Sequence, residues 1–170
     1  MDIFVIKLSA TENFSPELLN EFKKKEITDK KRLKQHCFSY LMLDRILTNF
    51  YNINDYEVIF EHNKPFLKNK QKYFSISHSE EYIVLCFSDY DCGVDIEKMK
   101  DRKFQSIAKR LGFKSHTREE FYKEWTTYEA KYKLNQSVKA LKSFQFDNYT
   151  LTAVSNYKDE IFNLYYQSNN

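Results

Sequence analysis

A chain of 170 residues, 42% hydrophobic and 17% aromatic, carries enough apolar side chain for one compact domain or two closely packed halves, which excludes a tail, a linker or a fibre. Its 27 basic and 24 acidic residues leave a net charge of +3, far from the strongly cationic signature of a duplex-binding protein, and permit an anionic substrate without demanding one. Two glycines in the whole chain leave no glycine-rich phosphate loop, so any phosphate chemistry must rely on side chains.

Cys37, Cys86 and Cys92 are odd in number and show no C-x-x-C spacing, which reads as reduced thiols of a cytoplasmic protein. The opening residues Met1 to Leu8 have neither the charged start nor the length of a secretory signal. No segment approaches the ~20 apolar residues of a membrane span.

In chain order, the β-branched and aromatic run Asp2 to Leu8 predicts a strand. Ser15, Pro16 and Glu17 supply an N-cap, a first-turn proline and an acid, so a helix is expected from about Ser15 to Lys25. Thr28 or Asp29 can cap a second helix with an apolar stripe through Leu33, Cys37, Tyr40, Leu41, Asp44 and Leu47, ending near Thr48. Tyr56 to Phe60 and Tyr73 to Ser77 alternate as strands around an Asn63-Lys64-Pro65 turn. Tyr82 to Phe87 and Gly93 to Ile96 read as two more strands. The period then changes, with a short helix from Phe104 to Leu111 ended by Gly112 and a longer one from Thr117 to about Asn135. Phe144 to Phe146, Thr150 to Val154 and Ile161 to Tyr165 complete the reading as an antiparallel meander. The result is an α+β chain in which one plan is used twice, with halves of approximately 1–87 and 88–170.

Three segments carry candidate chemistry. In Gly93-Val94-Asp95-Ile96-Glu97, residues two apart on a strand face the same way about 7 Å apart, so Asp95 and Glu97 share a face while Val94 and Ile96 bury. Such a pair is either a solvated strand end or a cation site, and a glycine before it fits close approach of another backbone. On the long helix Trp125, Glu129 and Lys133 recur every four residues, as a buried indole beside a surface ion pair or as one functional stripe. Ser77 and His78 are adjacent on a strand and point to opposite faces, which excludes a hydrolase triad; their hydroxyl and imidazole serve either packing or phosphate oxygens.

Taken in order, Lys64-Pro65, Ser77-His78-Ser79, Gly93-Val94-Asp95-Ile96-Glu97 and Trp125-Thr126-Thr127-Tyr128-Glu129-Ala130 with Lys133 resemble the 4′-phosphopantetheinyl transferases of the surfactin-synthetase-activating type. Their patterns read K-P, S-H-S, G-[IV]-D-[IV]-E and W-x-x-K-E-A-x-x-K. The resemblance spans about Lys64 to Lys133. Tyr128 stands where that family usually has lysine, and Leu134-Asn135-Gln136 follows Lys133 where a glycine is common.

The resemblance implies two similar α+β halves packed as a pseudo-dimer within a monomer, with the site at their junction. It implies transfer of the phosphopantetheine arm of coenzyme A to a serine of an acyl or peptidyl carrier protein, releasing adenosine 3′,5′-bisphosphate. By position, Asp95, Glu97 and Glu129 would hold Mg²⁺ or Mn²⁺, with Asp95 and Glu129 catalytic and Glu129 the base for the serine proton. Lys133 would meet the diphosphate, Ser77 and His78 the 3′-phosphate end, and Lys64 the phosphate or adenine region. Rival readings are a non-catalytic module that binds coenzyme A or nucleic acid through interleaved Tyr and Lys, and a metal hydrolase using His78 with the three acids. The transferase reading excludes nucleic acid and membrane as partners.

Overall fold

The computed structural model describes residues 1–8, 29–61, 64–101 and 103–167. The helix expected over Ser15 to Lys25 lies outside them, as does Asn63 of the expected turn. Nine strands and three helices are described: β1 Asp2–Lys7, α1 Lys30–Asn49, β2 Val58–Glu61, β3 Lys64–Leu67, β4 Tyr73–Ser79, β5 Tyr82–Ser88, β6 Cys92–Lys98, α2 Gln105–Leu111, α3 Arg118–Leu134, β7 Ala140–Phe146, β8 Tyr149–Ser155 and β9 Asn163–Gln167. Among the described residues no helix is long and apolar enough to cross a membrane.

Local chemistry sets the helix ends. Asp29 caps α1 by accepting the Arg32 N–H at 2.8 Å. Thr117 and Glu120 form a capping box at the start of α3, and Asn135 ends it in the left-handed region at φ 54°. Gly112 closes α2 at φ 72°, as its sequence position predicts. The core-facing residues of α1 are Cys37, Phe38, Met42, Leu43, Ile46 and Leu47, so the expected stripe is rotated by a position or two. Tyr40 and Asp44 stand at its border: Asp44 accepts a 2.6 Å hydrogen bond from the Tyr56 hydroxyl, and Tyr40 faces a cavity.

The mixed α+β architecture is built in layers. A four-stranded sheet runs β4-β5-β1-β9, a three-stranded sheet runs β6-β8-β7, and β2-β3 form a separate hairpin. One face of the larger sheet buries Ile6, Ile83, Leu85 and Phe87 under α1. Its other face packs Ile3, Val5, Val84 and Cys86 against Val94, Ile96, Leu151 and Ala153 of the smaller sheet. The far side of the smaller sheet is covered by α3, through Ala130, Leu134 and Val154 and a chain of hydroxyl contacts from Thr126 to Thr152 (2.8 Å) and on to Ser143 (2.9 Å).

Two expectations are corrected. Lys64 and Pro65 lie in β3, paired with Glu61 and Phe60, rather than in the turn. The last strand is no part of a meander: β7 and β8 pair antiparallel, but β9 crosses to the other sheet and pairs parallel with β1. The cause is local to Glu160, whose carboxylate accepts from the Met1 ammonium, from Ser88 at 2.8 Å and from Ser155 at 2.7 Å. These bonds steer the chain toward Met1, where the ammonium donates to Ile161 O at 2.7 Å and the Asn163 N–H to Met1 O at 2.9 Å.

Candidate functional site

The two sheets meet where β4 runs beside β6, and no backbone ladder joins these edges. Three alternate serines of β4 take that place. The N–H groups of Val94, Ile96 and Lys98 donate to the hydroxyls of Ser75 (3.2 Å), Ser77 (3.3 Å) and Ser79 (3.0 Å). An exposed strand edge that is buried against another sheet needs such acceptors, because an unpaired N–H in the interior is costly.

The same strand β6 places Asp95 and Glu97 on one face, as the alternation predicts. Asp95 is not at a solvated strand end: it is 5% exposed. Its Oδ1 accepts from Ser77 at 2.8 Å and from Lys133 Nζ at 2.8 Å, while its buried Oδ2 has no hydrogen-bond partner. Glu97 is half-buried and accepts the Ser79 hydroxyl at 3.2 Å. A buried carboxylate oxygen without a protein donor keeps its capacity to accept from water or to ligate a cation.

The third acid comes from α3. A β-carbon at Gly93 would stand 2.2 Å from Ala130 O and 3.0 Å from Leu134 N, so the helix backbone lies directly on the strand at the one residue without a side chain. That approach brings Lys133 to the Val94 carbonyl (3.0 Å) and to Asp95, and puts half-buried Glu129 within the field of Asp95. Burial first, and the Asp95 charge second, raise the Glu129 carboxyl above the ordinary carboxylate range, against a smaller opposing effect of Lys133. Trp125, expected as a buried indole, is half-buried and stacks on Phe121 at 6.1 Å, with its Nε1 enclosed and unpartnered. Tyr128 is exposed and packs edge-on against Phe113.

Beside these acids lies a cavity of about 760 Å³, a size suited to a cofactor-like ligand. Lys64, His78 and Lys133 all line it, together with His36, Tyr40 and Tyr132. Lys64 reaches it from β3 while its ammonium pairs with Asp91 at 2.7 Å. Ser77 does not line the cavity; it faces Asp95, and its neighbour His78 turns the other way into the space, as adjacent strand positions must.

The His78 side chain is exposed where it faces the cavity; partial desolvation by the cavity walls, followed by the Lys133 charge, lowers its pKa. Below the usual histidine value the unfolded chain therefore binds the proton more readily than the folded one. Stability contributed by neutral His78 is complete above about pH 6.5 and is lost as the pH falls from there through the lowered value. Thermal melts between pH 7 and 5 should fall more steeply for the wild type than for His78→Gln; parallel curves would remove His78 as the titrating group.

Thus the fold gathers Asp95, Glu97, Glu129, Lys133 and Ser77 along the α3–β6–β4 seam and puts Lys64, His78 and Lys133 on the cavity. Lys133 belongs to both. Among the described residues, no three His, Cys, Asp or Glu side chains stand close enough together to form a ready-made metal cage. The donor chemistry nonetheless suits a hard cation: carboxylates only, one with a buried oxygen left unpartnered. Sequence reasoning assigned no role to Ser75, Ser79 or His36. The serines were visible as S-x-S-x-S, a period-two run matching the D-x-E opposite, and His36 as a helix neighbour of Tyr40 at four residues' distance. No protein-family model matches the chain, and no curated protein matches it either.

Proposed function

We infer that this protein is a 4′-phosphopantetheinyl transferase, moving the phosphopantetheine arm of coenzyme A to a serine hydroxyl of an acyl or peptidyl carrier protein. The observation that carries this reading is the double placement of Lys133, which lines the cavity and bonds Asp95. An anion pocket and a set of acids are thereby joined by one ammonium, as transfer from a diphosphate requires.

The finer form of the fold is part of the proposal. In the larger sheet the order β4-β5-β1 and in the smaller the order β7-β8-β6 follow one scheme: the final hairpin strand is central and the opening strand flanks it. With a helix on the outer face of each sheet, this supports two similar halves related as a pseudo-dimer, with the site at their junction.

Asp95, Glu97 and Glu129 would hold Mg²⁺, or Mn²⁺ in its place. The ion would supply charge neutralisation on the diphosphate oxygens. Lys133, and Lys64 from across the cavity, draw the anionic ligand in and fix its phosphates. His78, its pKa lowered by desolvation and the Lys133 charge, offers in its neutral form a hydrogen bond rather than a charge. Glu129, with its affinity for protons increased, accepts the proton of the incoming serine. The serine oxygen then bonds to the phosphorus bearing the pantetheine arm, and the P–O bond to adenosine 3′,5′-bisphosphate breaks, its electron pair leaving with that product. A cytoplasmic setting and a monomer belong to the same proposal.

The direct test is the intact mass of a purified apo carrier protein after incubation with this protein, coenzyme A and Mg²⁺. Gain of one phosphopantetheine, abolished by EDTA, is the expected result. No gain on carriers of fatty-acid, polyketide and nonribosomal-peptide type, despite coenzyme A binding, would leave the binding-module reading in its place.

A further inference from the structure

Ser77 and Ser79 make a pair of contacts that Ser75 does not. All three hydroxyls accept a backbone N–H of β6, at Ile96, Lys98 and Val94 respectively. Ser77 also donates to Asp95 Oδ1 at 2.8 Å, and Ser79 to Glu97 Oε2 at 3.2 Å. The corresponding residue opposite Ser75 is Gly93, which has no side chain to receive a bond. Along one seam the same serine motif is therefore repeated three times, twice against an acid and once against none.

A carboxylate turns freely about its last bond unless one oxygen is held. At Asp95 both donors, Ser77 and Lys133, converge on Oδ1, and the buried Oδ2 alone is left without a partner. Donors fixed to one oxygen orient the other, in the way outer partners of a ligand set its direction and strength. Resting on the transferase reading, and going beyond the phosphate contact which the sequence pattern assigns to Ser77, we propose that Ser77 and Ser79 are positioning residues that aim the D-x-E carboxylates at a divalent cation. Their hydroxyls act through Asp95 and Glu97, and the backbone N–H that each one accepts locks it in turn.

Direct Mn²⁺ binding to the full chain, followed by electron paramagnetic resonance without coenzyme A or carrier, tests this apart from activity. Ser77→Ala and Ser79→Ala should each weaken Mn²⁺ affinity by about 10–100-fold. Ser75→Ala loses the same kind of seam bond and should lower the melting temperature comparably, yet leave Mn²⁺ affinity within about twofold, and Ser77→Thr, which keeps a hydroxyl, should restore part of the loss. Equal weakening in all three alanine variants, or none in Ser77→Ala and Ser79→Ala, overturns the proposal. Should Ser77→Ala not fold, Ser79→Ala against Ser75→Ala decides the matter alone. Failure of the wild type to bind Mn²⁺ overturns the cation reading itself, a different result from a wild type that binds and variants that bind as well.

Discussion

Glutamine in place of Glu129 is expected to raise the melting temperature at neutral pH while lowering transfer by about 10²–10⁴-fold. Both effects have one origin. Burial and the nearby Asp95 charge raise the Glu129 carboxyl above its ordinary value, so the folded state favours the protonated form more than the unfolded chain does. Between the ordinary and the raised value the folded protein holds the extra proton, and its stability falls as the pH rises through that window. Ionisation of the carboxylate runs against this preference, and an amide of the same shape removes the conflict. It also removes the group that accepts the serine proton. Circular dichroism melts of wild type and Glu129→Gln at pH 7, beside a transfer assay, check the two halves together. A lower melting temperature would show that attraction to Lys133 outweighs burial, and undiminished transfer would falsify the base assignment.

Gly93→Ala should destabilise the protein severely for a single added methyl. The obstacle to its β-carbon is the Ala130 carbonyl oxygen at 2.2 Å and the Leu134 nitrogen at 3.0 Å, both backbone, so no side chain can swing aside. The helix has to lift from β6, and overpacking of this kind costs up to about 3 kcal/mol. For a chain of this size that upper figure corresponds to a melting temperature lower by roughly 6–12 °C. Lifting α3 also carries Lys133 and Glu129 away from Asp95, so Mn²⁺ binding and transfer should fall beyond what the residual folded fraction explains. Melting and Mn²⁺ titration of this variant are the measurements; an unchanged melting temperature is incompatible with the close helix–strand contact.

Period and capping made much of this legible from the residues alone. The alternation of Gly93 to Glu97 put both acids on one face, and the four-residue spacing of Trp125, Glu129 and Lys133 put them on one stripe. The glycine before the acids signalled close approach, and Ala130 is what approaches. Local signals could not say which edges abut. Hydrophobic patterning orients faces, whereas the meeting of β4 with β6 depends on how two sheets pack, so Ser77 was read as a phosphate contact before its acid partner was visible. The Lys64–Asp91 pair, 27 residues apart, and the parallel pairing of β9 with β1 are of the same kind.

The parallel seating of β9 on β1 bears on the order in which the molecule can be made. During synthesis Asp2–Lys7 emerges first and can pair with β5 long before Asn163–Gln167 exists. Until then the far edge of β1 stays open, with Ile3 and Val5 committed to a core whose other sheet is also unfinished. Closing that edge is a late, long-range event, slow by nature and exposed meanwhile to mispairing with other chains. Removing the chain from Glu160 onward would leave that edge of β1 open again, and would take away the carboxylate that bridges Met1, Ser88 and Ser155.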